Sequence, residues 1–230
     1  MAVIGGGARK DYLSVKFFHM SRHYHKEVQI PLGDVLLEGE LILPDGAQAL
    51  VLFSHGSGSS RFSPRNQLVA RRLHDQQIGT LLFDLLSREE DRTYRTRFDI
   101  GLLTQRLVGV TQWLEGQAEA GGLRFGYFGA STGAASALKA AAALPRTGAM
   151  VSRGGRPDLA LDDLEKVAAP TLLIVGSLDT EVIRLNRDAY RHLHCTKELL
   201  IIEGATHLFE EPGTLDQVAG ATAGWFREYL

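Results

Sequence analysis

Hydrophobic positions change rhythm near residue 49. Before that point two segments alternate apolar with polar residues, Glu27 to Leu32 and Val35 to Leu43, and Gly33-Asp34 stands between them. A period of two marks a strand with one buried face, and a short glycine-containing break between two such runs predicts a hairpin that opens a sheet. Afterwards the apolar residues come in compact, unbroken runs: Ala49 to Ser54, Thr80 to Leu85, Arg124 to Phe128, Ala149 to Ser152, Thr171 to Val175 and Glu198 to Ile202. Runs of this kind suit strands covered on both faces. Between them lie helical patterns over about Pro64 to Gln77, Phe98 to Gln117, Thr132 to Leu144, Leu159 to Val167, Glu181 to Leu193 and Leu215 to Tyr229.

Such strand-helix alternation predicts an α/β architecture, a mostly parallel twisted sheet of about eight strands with helices on both faces. No repeat, low-complexity stretch or linker divides residues 26–230, so they read as a single domain. Residues 1–25 stand apart as an N-terminal tail or an extra edge segment. They carry charges and histidines and lack the apolar stretch of a signal peptide.

Composition narrows the class of partner. The chain has 230 residues, 44% of them hydrophobic and 23% charged, enough for an ordinary core without metal or disulfide staples. Twenty-five Lys and Arg against 27 Asp and Glu leave a formal net charge of −2, which offers no bulk attraction to nucleic acid or an anionic membrane. A small molecule is the expected partner. The apolar runs fall far below the roughly 18 residues of a membrane span. The single cysteine, Cys195, excludes an intramolecular disulfide and fits a reducing compartment, so a cytoplasmic location is expected.

Chemistry enters at Gly129-Ala130-Ser131-Thr132-Gly133, which lies between a buried strand and an alanine-rich helix. That is the context of the G-x-S-x-G nucleophile elbow. A turn so sharp brings strand and helix nearly into contact, leaves room only for Gly129 and Gly133 around the serine, and pushes the serine oxygen outward. A serine hydroxyl needs a base to take its proton, and the base needs a carboxylate to fix its tautomer. Asp179 follows the run Thr171 to Val175 and His207 follows the run Glu198 to Ile202, so both stand beyond the carboxyl ends of parallel strands, where Ser131 also emerges. Asp84 and Asp158 are rival acids, and Asp179 is also suited to heading the helix over residues 181–193.

The run His55-Gly56-Ser57-Gly58-Ser59-Ser60-Arg61 follows the first buried strand. Its small residues let backbone amides approach a ligand, and the amides of Ser57 and Thr132 are the expected oxyanion hole. The loop has no Lys-Ser or Lys-Thr pair, and Arg61 replaces the third glycine of a dinucleotide fingerprint, which argues against nucleotide binding.

With these pieces in place, the sequence resembles the α/β-hydrolase superfamily and, within it, the dienelactone hydrolase-like group, over about residues 26–230. Beyond the three candidate catalytic residues, the resemblance rests on HGSGSSRFSPRN (His55 to Asn66), TLLFDLLSREE (Thr80 to Glu90), FGASTGAA (Phe128 to Ala135), SRGGRPDLA (Ser152 to Ala160) and GATHLFEEPG (Gly204 to Gly213). It implies the α/β-hydrolase fold and a triad in the order Ser131, Asp179, His207. These stretches look like a branch sometimes fused to phosphoribosyltransferase domains, and no such second domain is read in this sequence. In dienelactone hydrolases proper the elbow nucleophile is a cysteine; Ser131 in its place favours ordinary ester chemistry over dienelactone itself.

The resemblance also implies arginines that hold an acidic substrate. Arg61 and Arg153 are the candidates, Arg65 and Arg156 lie close to them in sequence, and each has a surface salt bridge as its plainer role. Many α/β-hydrolases insert a lid after the strand that ends near Ser152. Here one short helix fills that connection, so no lid domain and an open, shallow site are expected. The expected activity is a serine hydrolase cleaving small carboxylic esters or lactones through an acyl-enzyme, with no cofactor. A peptidase or acyltransferase with the same triad and a catalytically silent binding protein are the alternatives. No metal site is expected, because His23/His25 and His192/His194 with Cys195 lack further ligands at zinc spacing. The oligomeric state is not legible in the sequence.

Overall fold

The computed structural model describes residues 24–230. Most of the N-terminal segment read at 1–25, His23 included, lies outside the described residues. Strands β1 (Tyr24–Leu32) and β2 (Val35–Leu43) form the predicted hairpin, in register from Tyr24 opposite Leu43 to Leu32 opposite Val35. Gly33 takes φ +59° in the turn, a conformation that suits a residue without Cβ. Tyr24 and His25 belong to β1, so the strand starts earlier than its alternation suggests.

Six further strands follow: β3 (Ala49–Ser54), β4 (Gly79–Phe83), β5 (Arg124–Ala130), β6 (Ala149–Arg153), β7 (Thr171–Gly176) and β8 (Lys197–Ile202). All eight make one sheet in the order β1-β2-β4-β3-β5-β6-β7-β8, in which β2 alone runs against the others. Every residue of β3, β4, β6 and β7 is buried, the condition that their unbroken apolar runs anticipate.

Helices α1 (Pro64–His74) and α5 (Thr214–Tyr229) cover one face, where Val69, Leu73, Val218 and Phe226 join Val51, Phe53, Phe128 and Val151 in a core. Helices α2 (Ile100–Glu115), α3 (Thr132–Ala143) and α4 (Thr180–His192) cover the other, with Leu107, Leu138 and Ala189 against Leu52, Tyr127 and Leu173. Tyr127 is fully buried yet keeps a polar partner, its hydroxyl standing 2.8 Å from Thr111 Oγ1; burial pushes its phenol up to about 12.

Helix α1 and the connection after β6 depart most from the pattern reading. Helix α1 ends at His74 instead of reaching Gln77, because Gln77 adopts φ +58° and the amides of Gln77 and Ile78 close back on the carbonyls of His74 and Leu73. This is a Schellman end, and the burial of Leu73 and Ile78 supplies its apolar contact. The connection Pro157–Lys166 is a 3-10 coil instead of an α-helix. At about 2.0 Å of rise per residue instead of about 1.5 Å, that form lets a short connection reach further. Among the described residues no lid stands over the sheet's carboxyl edge, and no helix is long and apolar enough to cross a membrane.

Candidate active site

The site begins with close packing of backbone. A Cβ on Gly133 would lie 2.2 Å from the Ser54 carbonyl oxygen, and one on Gly129 would lie 2.4 Å from the α-carbon of Ala134. No side chain fits either gap, so glycine is required where β5 turns into α3. Ser131, between them, takes φ +50° and ψ −123°, a sparsely populated conformation for a residue with a side chain. It stands at the N-cap of α3, but its hydroxyl makes no capping bond. Its amide donates to the Arg153 carbonyl at 3.2 Å, and its carbonyl accepts from the Arg156 amide at 3.1 Å. The loop after β6 thus wraps the elbow.

That loop also reaches the histidine. A Cβ on Gly154 would stand 3.4 Å from His207 Cε1 and 3.5 Å from its Nδ1, so the imidazole lies against the residue next to Arg153. Asp179 heads α4 without capping it, and its Oδ2 lies 2.6 Å from His207 Nδ1. A carboxylate accepts only, so Nδ1 carries the proton and Nε2 is left as an acceptor. The rival acids are engaged elsewhere: Asp84 pairs with Arg61, and Asp158 with Arg156.

The amides of Ser57 and Thr132 belong to adjacent residues in space, in a manner that sequence does not indicate. The Ser57 amide donates to the Thr132 hydroxyl at 2.9 Å, tying the loop after β3 to the elbow. Gly56 lies over Ser131, where a Cβ would come within 3.1 Å of the serine's own Cβ. Beneath it, His55 is buried; Nδ1 donates to the Gly56 carbonyl at 3.0 Å and Nε2 accepts from the Leu85 amide at 3.2 Å. Burial holds the His55 pKa below the ordinary imidazole value, so this ring is neutral and structural.

The candidate arginine anchors part company. Arg61 is balanced, with its guanidinium on Asp84 and on Glu38, the latter at 2.8 Å, and its amide on Asp84 Oδ1 at 2.8 Å. Arg153 is buried and makes no ion pair among the described residues. A pocket of about 290 Å³ opens beside the loop after β3, lined by His55, Ser60, Arg61, Phe62, Asp84 and Leu86. Phe62, Leu178 and Leu208 are exposed in the loops that carry the site. Cys195 lies away from it, partly buried, with Sγ 3.7 Å from Thr171 Oγ1.

One residue was invisible to the sequence reading. Glu211 accepts from the Thr206 amide at 3.1 Å and the Thr206 hydroxyl at 2.6 Å, bracing the turn that presents His207. Those bonds hold the Glu211 carboxyl below its ordinary pKa. A carboxylate four residues after a histidine carries no signal of its own. Among the described residues no group of three or more His, Cys, Asp or Glu is arranged to hold a metal.

Comparison with known proteins places this geometry among relatives. A crystal structure of a dienelactone hydrolase from Anabaena variabilis superposes with a TM-score of 0.89 at 53% identity, covering 90% of this chain and 99% of that one. An esterase from Pyrococcus furiosus shares the fold at a TM-score of 0.73 and 18% identity, over 90% of this chain and 92% of its own. Two curated Mycobacterium tuberculosis proteins, provisionally named phosphoribosyl transferases, are 52% identical over 207 residues, which is 89% of this chain and 46% of theirs. The chain spans about half the length of these curated relatives. No family model matches it.

Proposed function

The chain belongs to the α/β-hydrolase superfamily, in its dienelactone hydrolase-like group, and from that premise we propose that it is a cytoplasmic serine hydrolase of small carboxylic esters or lactones. Ser131 Oγ attacks the carbonyl carbon while His207 Nε2 takes its proton, and Asp179 holds the proton on Nδ1 and stabilises the imidazolium. The amides of Ser57 and Thr132 receive the oxyanion, the Thr132 hydroxyl yielding or sharing the Ser57 amide as the substrate arrives. Collapse of the tetrahedral intermediate expels the alcohol, which takes the proton from His207. Water then attacks the acyl-Ser131 ester while His207 accepts one of its protons, and the second tetrahedral intermediate collapses with His207 returning that proton to Ser131 Oγ as the acid is released.

The observation that carries this reading is a strained, uncapped Ser131 on the sheet edge where Asp179, 2.6 Å from His207 Nδ1, sets the histidine tautomer. The Mycobacterium relatives are more than twice the length matched, so their name describes proteins with more than as much chain again outside this stretch. Rapid mixing with 4-nitrophenyl butyrate tests the mechanism. An initial burst of nitrophenolate stoichiometric with enzyme, absent in Ser131→Ala, is expected if acylation outpaces deacylation. Turnover by Ser131→Ala at the wild-type rate would remove Ser131 from the chemistry.

A further inference from the structure

Ser131 and His207 both rest on one short segment, Arg153-Gly154-Gly155-Arg156. It holds the serine from two sides, the Arg153 carbonyl accepting from the Ser131 amide at 3.2 Å and the Arg156 amide donating to the Ser131 carbonyl at 3.1 Å. Gly154, at φ +52°, lies against the His207 ring. Glycine has more backbone freedom to lose than any other residue, so a glycine pair at this point must be fixed from outside. The Gly154 amide is tied to the Ile174 carbonyl at 2.8 Å. Gly155 admits no side chain of its own, because a Cβ there would come within 2.0 Å of Ser152 Oγ and 2.7 Å of Ala134 Cβ.

What fixes Gly155 comes from α4. Asn186 Nδ2 lies 3.0 Å from the Gly155 carbonyl oxygen and 2.8 Å from the carbonyl oxygen of Val182, one turn back in its own helix. Carbonyls only accept, so the amide nitrogen faces both of them and its two protons are used. Among the described residues no other side chain is hydrogen-bonded to the glycine pair. Asn186 is fully buried, and its Oδ1 has no partner among the described residues. A buried acceptor without a partner is unfavourable, and a leucine of similar volume would avoid it, so what the amide contributes is its donors. Asp179 heads the same helix, in which Val182, Asn186 and Ala189 are the buried positions. At 3.6 residues per turn Asn186 stands about two turns from Asp179 on one face. The helix that carries the acid is thus bonded to the segment that holds the serine and abuts the histidine.

We propose that Asn186 is a positioning residue, the tie that fixes residues 153–156 against α4 and so sets Ser131 relative to Asp179 and His207. The effect on catalysis rests on the hydrolase reading; the tie itself does not. Without the donor the Gly155 carbonyl loses its partner, the glycine pair is released, and the backbone bonds on both sides of Ser131 shift with it. The chemical step is sensitive to small displacements of its groups, so the loss falls on kcat and not on KM.

Amide hydrogen exchange and kinetics on wild type and Asn186→Leu, well below both unfolding temperatures, test this role. In the variant the amides of Ser131, Gly154 and Arg156 are expected to exchange roughly tenfold faster or more, while those of Leu52 and Tyr127 in the paired strands β3 and β5 are unchanged. On 4-nitrophenyl butyrate kcat should fall roughly tenfold or more with KM within about twofold, and fluorophosphonate labelling of Ser131 should slow by the same factor as kcat.

Wild-type exchange in folded Asn186→Leu, or equal acceleration of every amide, would overturn the tie. Faster local exchange with unchanged kcat and labelling would make Asn186 structural only and overturn the positioning role. If Asn186→Leu does not fold, Asn186→Ser, too short to span both carbonyls, takes its place, and wild-type exchange at Ser131, Gly154 and Arg156 overturns the proposal in the same way. Faster local exchange in the variant, together with no turnover and no labelling in wild type, would keep the tie and remove the hydrolase reading.

Discussion

Ser131 holds a backbone conformation that costs on the order of 1–3 kcal/mol for a residue with a side chain. It is tolerated because Gly129 and Gly133 let β5 and α3 press together on either side of it. The roles assigned to its neighbours make separable predictions. Asp179→Asn should leave the fold intact but lower kcat by about four orders of magnitude, as expected when the histidine tautomer is no longer enforced; a loss below tenfold would mean another acid serves His207. Thr132→Val removes the hydroxyl that accepts from the Ser57 amide while keeping the side-chain shape. On the proposed mechanism that amide then stays open, so kcat for small esters should change by less than tenfold in either direction. A hundredfold fall with KM unchanged would instead make the Thr132 hydroxyl part of transition-state binding. These residues were legible because local chemistry confines them: glycines where nothing else fits, a serine between them, and acid and base at strand ends. Glu211 was not, since a carboxylate four residues after a histidine carries no signal of its own, nor was the backbone of residues 153–156, whose bonds to Ser131 come from packing between separate segments.

At the scale of elements, the loops after β3 and β4 are joined by His55, which links the Gly56 carbonyl to the Leu85 amide in its neutral form. Its pKa is lowered by burial, so the unfolded chain binds a proton that the folded chain refuses. Stability therefore falls as pH drops below the ordinary imidazole value of about 6.5. His55→Asn should be less stable at neutral pH but show a shallower decline between about pH 6.5 and 5, by urea titration at each pH. An unchanged slope would show that His55 does not couple folding to protons. Gly133→Ala should be far more damaging, because its Cβ meets backbone instead of a movable side chain. A loss of about 3 kcal/mol or failure to fold is expected from overpacking of that kind. The buried strands were legible from their apolar runs, and the hairpin from its alternation. The end of α1 was not, because Gln77 in a left-handed conformation gives no compositional warning. Nor was the 3-10 form of Pro157–Lys166, whose apolar spacing is compatible with either helix.

Across the whole molecule, a single mostly parallel sheet carries Ser131, Asp179 and His207 on one edge, and no lid covers it among the described residues. An edge without such a cover should admit dissolved esters without a surface to trigger opening. Rate against substrate concentration is therefore expected to rise smoothly through the solubility limit of a short-chain ester, whereas a jump at that limit would require a moving cover. The architecture was legible from strand-helix alternation. The charge balance at the edge was not: Arg61 meets Glu38 because β2 and β4 are neighbours in the sheet, whereas Arg153 ends a buried strand with its guanidinium 5.8 Å from the Phe128 ring centroid. An activated Ser131 is detected by treating wild type and Ser131→Ala with a fluorophosphonate and weighing both intact. One adduct on wild type and none on the variant is the predicted result; no adduct on either, or the same adduct on both, would contradict it.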